Sequence, residues 1–151
     1  MENKTIVLGI GNIGRQDDGL GWLFLDYLKD EGFKDIEIEY RYQLQIEDAE
    51  LISNYENVIF IDATKEQTKN GFYYKTCESS DKFGFSSHEL VPETILYLAN
   101  NLYNHNPKAF ILGIQGYEWN LEIGLSVEAK VNLNNAKRYF RTVDASSQVN
   151  Y

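Results

Sequence analysis

The feature that most constrains the fold is the regular alternation of short apolar runs with amphipathic segments. Residues 5–10 and 58–61 are continuous runs rich in β-branched side chains, a pattern typical of strands buried on both faces. Residues 109–114 form a third such run. Parallel neighbours need long crossover connections, and helical patterns separate these runs. The alternation therefore predicts an α/β fold in three layers, with a mostly parallel sheet and helices on both faces.

The segments between these runs have helical spacing. Residues 18–30 carry an apolar stripe that Gly32 would end, and a shorter helix is predicted near 46–54. A helix opened by residues 86–89 would bury Val91, Ile95, Leu98 and Leu102. A last helix capped by Ser126 would bury Ala129, Leu133, Ala136 and Phe140. No repeat or linker interrupts the pattern, which predicts one domain over residues 1–151.

Two further strands are weaker. Residues 36–42 alternate apolar and charged side chains, so this strand should have one wetter face. Residues 72–78 follow a Lys-Asn-Gly turn and are expected at a sheet edge.

Composition excludes several classes of partner. The chain carries 14 basic and 23 acidic residues, for a formal net charge of -9, without a basic cluster that would bind phosphate backbones or anionic lipid. We therefore expect neither nucleic acid nor a membrane as partner. The apolar run at the N-terminus is too short for a signal peptide or a membrane span. The single cysteine, Cys77, fits a small buried strand residue and a reducing compartment, which predicts a cytoplasmic protein.

Polar residues follow the predicted strands where ligands usually bind. Asp17 and Asp18 follow the first strand, Asp62 ends the strand at 58–61, and His88 stands at the start of its helix. In open α/β sheets the ligand crevice lies beyond the carboxyl ends of the strands. Two carboxylates and an imidazole suit a borderline divalent metal with open coordination positions. The sequence thus suggests a metal-related site formed by Asp17 or Asp18 together with Asp62 and His88.

Each of these residues also has a purely structural interpretation. Asp17 or Asp18 could cap the following helix, Asp62 could begin a turn, and His88 could pair locally with neighbouring acids. The run from Gly9 to Gly14 fits GxGxxG, but the two aspartates would repel a pyrophosphate at that helix, so a dinucleotide site is disfavoured. We assign no chemistry to His105.

Several motifs together resemble a known family. The stretch Gly9-Ile10-Gly11-Asn12 with Asp17-Asp18-Gly19-Leu20-Gly21 looks like the opening motif of the hydrogenase maturation endopeptidases, which process the large subunit of nickel-iron hydrogenases. Ile59-Phe60-Ile61-Asp62-Ala63 resembles the second motif of that family, and Ser87-His88-Glu89-Leu90 resembles the third. Leu112-Gly113-Ile114-Gln115 and Gly124-Leu125-Ser126 resemble its C-terminal landmarks. The resemblance covers residues 5 to about 140, in the order and spacing of the family.

The resemblance implies an endopeptidase that removes the C-terminal extension of a nickel-loaded hydrogenase large-subunit precursor. Asp18, Asp62 and His88 would then be the catalytic residues and the ligands that touch nickel in the complex. The nickel would be supplied by the precursor, and no tightly bound metal of the protein's own is expected. A non-catalytic chaperone that binds the nickel precursor through the same three residues is the alternative.

One motif departs from the commoner family pattern. Many members carry a Gly-Thr/Ser loop after the second strand, whereas this chain has Gln43 and Leu44 followed by Glu47. This resembles the Gln-Leu-x-x-Glu version in the branch that serves bidirectional, NAD-linked hydrogenases. Gln43, Leu44 and Glu47 are therefore predicted to bind the substrate and to contribute to its selection.

Overall fold

The structure is a computed structural model that describes residues 4–81 and 90–149, with side chains described as far as residue 142. The strands within these ranges are β1 (Thr5–Ile10), β2 (Ile36–Arg41), β3 (Asn57–Thr64), β4 (Phe72–Thr76) and β5 (Lys108–Gln115). The α-helices are α1 (Leu20–Glu31), α2 (Glu47–Ile52), α3 (Pro92–Tyr103) and α4 (Val127–Val149). A 3-10 turn at Gln16–Gly19 leads into α1.

The strands form one sheet in the order β2-β1-β3-β5-β4. β2, β1, β3 and β5 are parallel to one another, and β4 pairs antiparallel with β5 at the edge. The carboxyl ends of the parallel strands therefore lie on one edge of the sheet. Both the mostly parallel sheet and the edge position of the strand after residue 71 are confirmed.

Alternate side chains of the central strands supply two separate apolar cores. Val7, Ile59 and Leu112 face α1 and α4 on one side of the sheet. Ile6 and Phe60 face α2 and α3 on the other side. Successive strand residues point to opposite faces, and a strand covered on both sides must be apolar throughout. This is the predicted arrangement of three layers, and the apolar runs are its cause.

The prediction for α4 is confirmed, whereas the prediction for α3 is partly wrong. The predicted buried face of α4 is confirmed, since Ala129, Leu133, Ala136 and Phe140 are all buried. The predicted start of α3 is wrong: the helix begins at Pro92, and Val91 is extended. Its buried face was also misjudged, because Val91 and Leu102 are 45% and 59% exposed. Ile95, which was predicted correctly, forms the buried face together with Leu96 and Ala99.

β3 is longer than its apolar run. The strand was expected to end before Asp62, but it continues to Thr64 because β5 pairs with it throughout. β1 pairs with β3 only as far as Ile61. Asp62 is therefore held in the sheet on its β5 side, one residue beyond the last partner on its β1 side.

None of the helices in the described part of the chain is long and apolar enough to cross a bilayer.

Candidate functional site

A cleft of about 150 Å³ opens at the carboxyl edge of the sheet, between the ends of β1 and β3. Its walls come from five segments of the chain. They comprise Ile10, Gly11, Asp18, Tyr42, Gln43, Leu44, Asp62, Leu90, Val91 and Pro92. The fold thus places Asp18 and Asp62 in one cleft, although 43 residues separate them in the chain. Both aspartates are half-buried there.

The glycine-rich turn after β1 holds Asp18 in position. Gly11 has a φ of +146°, and a Cβ on it would lie 2.0 Å from the Asp18 carbonyl oxygen, so any larger residue would clash with the backbone. The same carbonyl oxygen accepts a hydrogen bond of 3.1 Å from the Asn12 N–H. Gly11 is therefore required for close packing of the turn against the backbone of Asp18, and this packing explains the glycine without a bound dinucleotide.

Close packing of α1 against the strand ends brings Asp18 towards Asp62. A Cβ on Gly21 would lie 2.7 Å from the Ile10 carbonyl oxygen and 2.8 Å from that of Ile61. Only glycine permits this approach, because the nearest atoms are backbone atoms that cannot move aside. The first turn of α1 is thereby set over the end of β1 and β3. Asp18 lies two residues before this helix and enters the cleft from that side.

Asp62 has a neighbour that the sequence patterns did not reveal. Asp62 of β3 pairs with Gly113 of β5, and Gly113 pairs in turn with Tyr73 of β4. A Cβ on Gly113 would lie 2.4 Å from the Tyr73 ring, so the ring occupies the space that a side chain would fill. Burial raises the pKa of Tyr73, and the negative charges of Glu66, Asp62 and Glu93 raise it further. The signal in the sequence was a glycine inside an apolar strand.

The segment after β2 forms the outer wall of the cleft. Leu44 is buried and forms an antiparallel bridge with Leu90, so it joins this segment to the approach of α3. Gln43 is exposed and lines the cleft, whereas Glu47 is exposed at the start of α2 and is absent from the lining. Asp48 fixes the segment through its carboxylate, which binds Arg41 at 3.0 Å and the Gln45 N–H at 2.9 Å.

Tyr42 lines the cleft, although the sequence motifs did not single it out. Its ring is 68% exposed and lies 4.9 Å, centroid to centroid, from the ring of Trp22. Trp22 is itself anchored by a hydrogen bond of 2.9 Å from its Nε1 to the Arg41 carbonyl oxygen. The cleft therefore has a supported aromatic wall beside its carboxylates.

His88 lies outside the described residues, so its predicted place beside the two aspartates stays a prediction. No group of three possible metal-binding side chains is found within residues 4–81 and 90–142.

Cys77 is buried, as predicted, and burial raises the pKa of its thiol to about 12. The Nε2 of His105 makes a hydrogen bond of 2.6 Å with the Tyr55 carbonyl oxygen.

Asp17 is not a helix cap but a tertiary anchor. Neither Asp17 nor Asp18 caps the 3-10 turn or α1 with its side chain, so that structural interpretation was wrong. The fully buried Asp17 carboxylate accepts hydrogen bonds from the N–H groups of Tyr117, Glu118 and Ser126. The Ser126 hydroxyl adds a fourth, and the same hydroxyl caps α4 at the Ala129 N–H, as predicted for Ser126.

This anchor gives a prediction about stability. Burial alone would raise the pKa of Asp17, but the hydrogen bonds from Tyr117, Glu118 and Ser126 outweigh it and lower the pKa. Asp17→Ala leaves these buried donors without an acceptor, which should cost roughly 3 kcal/mol of unfolding free energy at pH 7. Urea unfolding measures this loss, with Asp30→Ala at an exposed position as the control.

The same measurement at low pH tests the charge of Asp17. A folded-state pKa below the unfolded value means that ionised Asp17 stabilises the protein above a pH of about 4. This contribution is lost as the pH falls through the lower, folded-state pKa. The difference between the wild type and Asp17→Ala should therefore narrow in acid. A difference that is the same at pH 7 and pH 2 would contradict the role of the carboxylate.

Comparison with solved structures identifies proteins of the same fold. The chain is similar to the hydrogenase maturating endopeptidase HybD from E. coli, with a TM-score of 0.72, 20% identity, and coverage of 95% of this chain and 93% of that one. It is also similar to a [NiFe] hydrogenase maturation protease, HycI from Thermococcus kodakarensis KOD1, with a TM-score of 0.71 and 19% identity over 91% of this chain and 90% of that one.

A third similar structure is a hydrogenase 2 maturation peptidase from Thaumarchaeota archaeon SCGC_AB-539-E09, with a TM-score of 0.66, 18% identity, and coverage of 93% and 97% of the two chains. No protein-family model matches the chain, and no curated protein matches it by sequence. At these identities the similarity shows a shared fold. It extends over nearly the whole of each chain, and the fold is the one that the sequence motifs predicted.

Proposed function

We propose that this protein is an endopeptidase that removes the C-terminal extension of a nickel-loaded [NiFe] hydrogenase large-subunit precursor. One observation carries the proposal: two carboxylates, Asp18 and Asp62, line a single cleft at the ligand-binding edge of a fold shared with three hydrogenase maturation proteases. The motif that contains His88 ends at Leu90, which lines the cleft together with Val91. The single cysteine, Cys77, supports a reducing compartment and therefore a location in the cytoplasm.

In the proposed reaction the nickel belongs to the substrate. Asp18, Asp62 and His88 bind the nickel that the precursor already holds, and this contact places the tail in the cleft. The metal polarises the scissile carbonyl or a water molecule, and one of the two aspartates accepts the proton of that water. Hydrolysis of the peptide bond then releases the C-terminal extension.

Substrate selection is assigned to the wall formed by the segment after β2. Gln43 is exposed and lines the cleft, so its amide can reach a bound tail, while the buried Leu44 holds the wall in place. Glu47 lies outside the lining and would act on a part of the precursor beyond the cleft. The Gln-Leu-x-x-Glu pattern supports a bidirectional, NAD-linked hydrogenase as the source of the precursor.

Incubation of the purified protein with nickel-loaded precursor tests the proposal. Mass spectrometry should detect a shortened large subunit and the released C-terminal peptide in equal amounts. Association without any released peptide would favour the non-catalytic chaperone. If the protein neither binds nor cleaves the precursor, the proposed function is overturned.

A further inference from the structure

The loop between β5 and α4, residues 116–126, exposes two large aliphatic side chains. Leu121 is 84% exposed and Ile123 is 85% exposed, the highest values among the large apolar side chains that the structure describes. Val127, at the start of α4, is 72% exposed. Single exposed apolar residues are ordinary on protein surfaces, but several within seven residues suggest an interaction site.

Hydrogen bonds hold this loop in a fixed shape, and this shape keeps Leu121 and Ile123 exposed. The Glu122 carbonyl oxygen, between the two aliphatic residues, accepts a hydrogen bond of 2.8 Å from the Gln16 N–H. The Gln16 side chain accepts a bond of 2.9 Å from the Asn120 N–H. The Asp17 N–H donates to the Glu118 carbonyl oxygen at 3.0 Å, and the Asp17 carboxylate anchors both ends of the loop. A rigid apolar loop loses little conformational entropy on binding.

The segment that clamps the loop also carries Asp18. Gln16 bonds to Glu122, and Asp18 follows two residues later in the same 3-10 turn. With about 3.8 Å between consecutive α-carbons, the α-carbons of Leu121 and Ile123 lie within roughly 20 Å of that of Asp18. A folded protein whose tail enters the cleft is large enough to cover both places.

Charge argues for a different protein as the occupant and against a second copy of this chain. The loop itself carries Glu118 and Glu122 and no lysine or arginine. Arg15 and Lys65 contact it from outside, through the Trp119 carbonyl oxygen and the Trp119 ring. The whole chain has a formal net charge of -9, so two copies would repel each other. A partner with an apolar patch and a basic rim is complementary.

We propose that Leu121 and Ile123 are a docking surface for the folded body of the large-subunit precursor, separate from the cleft that takes its tail. The identity of the partner rests on the proposed function above. Contacts remote from the scissile bond supply affinity and leave the chemical step unchanged, since they are equally strong before and during the reaction. The loop would therefore select the folded precursor over a free peptide.

The test compares the double variant Leu121→Ser/Ile123→Ser with the wild type in two assays. Calorimetric titration with nickel-loaded precursor measures Kd, and the cleavage assay measures kcat and KM. Loss of two aliphatic side chains that the complex would bury should raise both Kd and KM by about tenfold or more, with kcat unchanged. Leu102→Ser is the matched control, since Leu102 is 59% exposed near the end of α3, at the opposite edge of the sheet.

The two assays separate this inference from the proposed function. Unchanged Kd and KM in the double variant would overturn the docking surface, even if the wild type cleaves the precursor well. A wild type that binds through Leu121 and Ile123 but never cleaves would support docking and overturn the endopeptidase. Sedimentation analysis tests whether a second copy of the chain occupies this surface. If the wild type is a dimer and the double variant is a monomer with unchanged Kd for the precursor, the surface binds a second copy and the proposal is overturned.

Discussion

Asp62→Asn is expected to reduce removal of the precursor tail by roughly 10²- to 10⁴-fold, the usual contribution of a positioned acid or base. Asparagine has nearly the same shape, so the strand pairing of residue 62 with Gly113 should persist. It has no charge to bind nickel and no basic oxygen to accept a proton. Mass spectrometry of nickel-loaded precursor over time gives the rate, and circular dichroism checks the fold.

The matched control is Asp30→Asn, which removes the same charge from an exposed position near the end of α1, at the opposite edge of the sheet. Its rate should equal that of the wild type. Asp18→Asn should resemble Asp62→Asn, because both residues line the cleft. His88→Ala, which follows from the sequence motif alone, should also abolish cleavage with the fold intact. Full cleavage by Asp62→Asn would remove that residue from the site.

Nickel-free precursor is expected to be cut poorly or not at all. A precursor without nickel brings no positive charge to Asp18 and Asp62, the two carboxylates that line the cleft. Two carboxylates and one imidazole also lack the thiolates that make structural metal sites tight. The protein purified without added metal should therefore contain far less than one transition metal ion per chain, and the metal should enter with the substrate.

Two measurements check this dependence. Elemental analysis after dialysis against a chelator gives the metal content of the protein, and parallel digests compare loaded and empty precursor. Adding nickel to the empty precursor should restore cleavage, whereas preincubating the protein with nickel and then removing the free metal should not. One tightly held metal ion per chain, or equal cleavage of both precursors, would indicate a conventional metallopeptidase instead.

Much of the fold could be predicted from the sequence because its cause is local. The apolar runs that became β1, β3 and β5 had to be buried on both faces, and helical spacing between them required crossover connections. The same logic predicted the buried face of α4. It failed for α3, where Val91 and Leu102 continued an apolar spacing that the helix leaves exposed. The spacing of apolar residues does not show how far the neighbouring helices and strands extend, and therefore which of these residues they cover.

The site was only partly predictable, for a similar reason. The motifs indicated Asp18 and Asp62 as candidates, because polar residues after buried strands lie at the ligand edge of such sheets. Whether Asp17 or Asp18 is available depends on hydrogen bonds to Tyr117, Glu118 and Ser126, about 100 residues away. Those bonds bury Asp17 as an anchor and leave Asp18 to line the cleft.

The sequence by itself determined the layers of this protein and the order of its elements, and it indicated polar candidates at the strand ends, since all of these follow from local periodicity. The tertiary structure alone decided which side chains meet. The ring of Tyr73 reaches across Gly113 because two strand pairings put them in register with Asp62. Leu121 and Ile123 lie exposed on a loop that forms hydrogen bonds with Gln16, more than 100 residues away in the chain. Contacts between residues far apart in the chain depend on how the elements pack, and no local pattern encodes them.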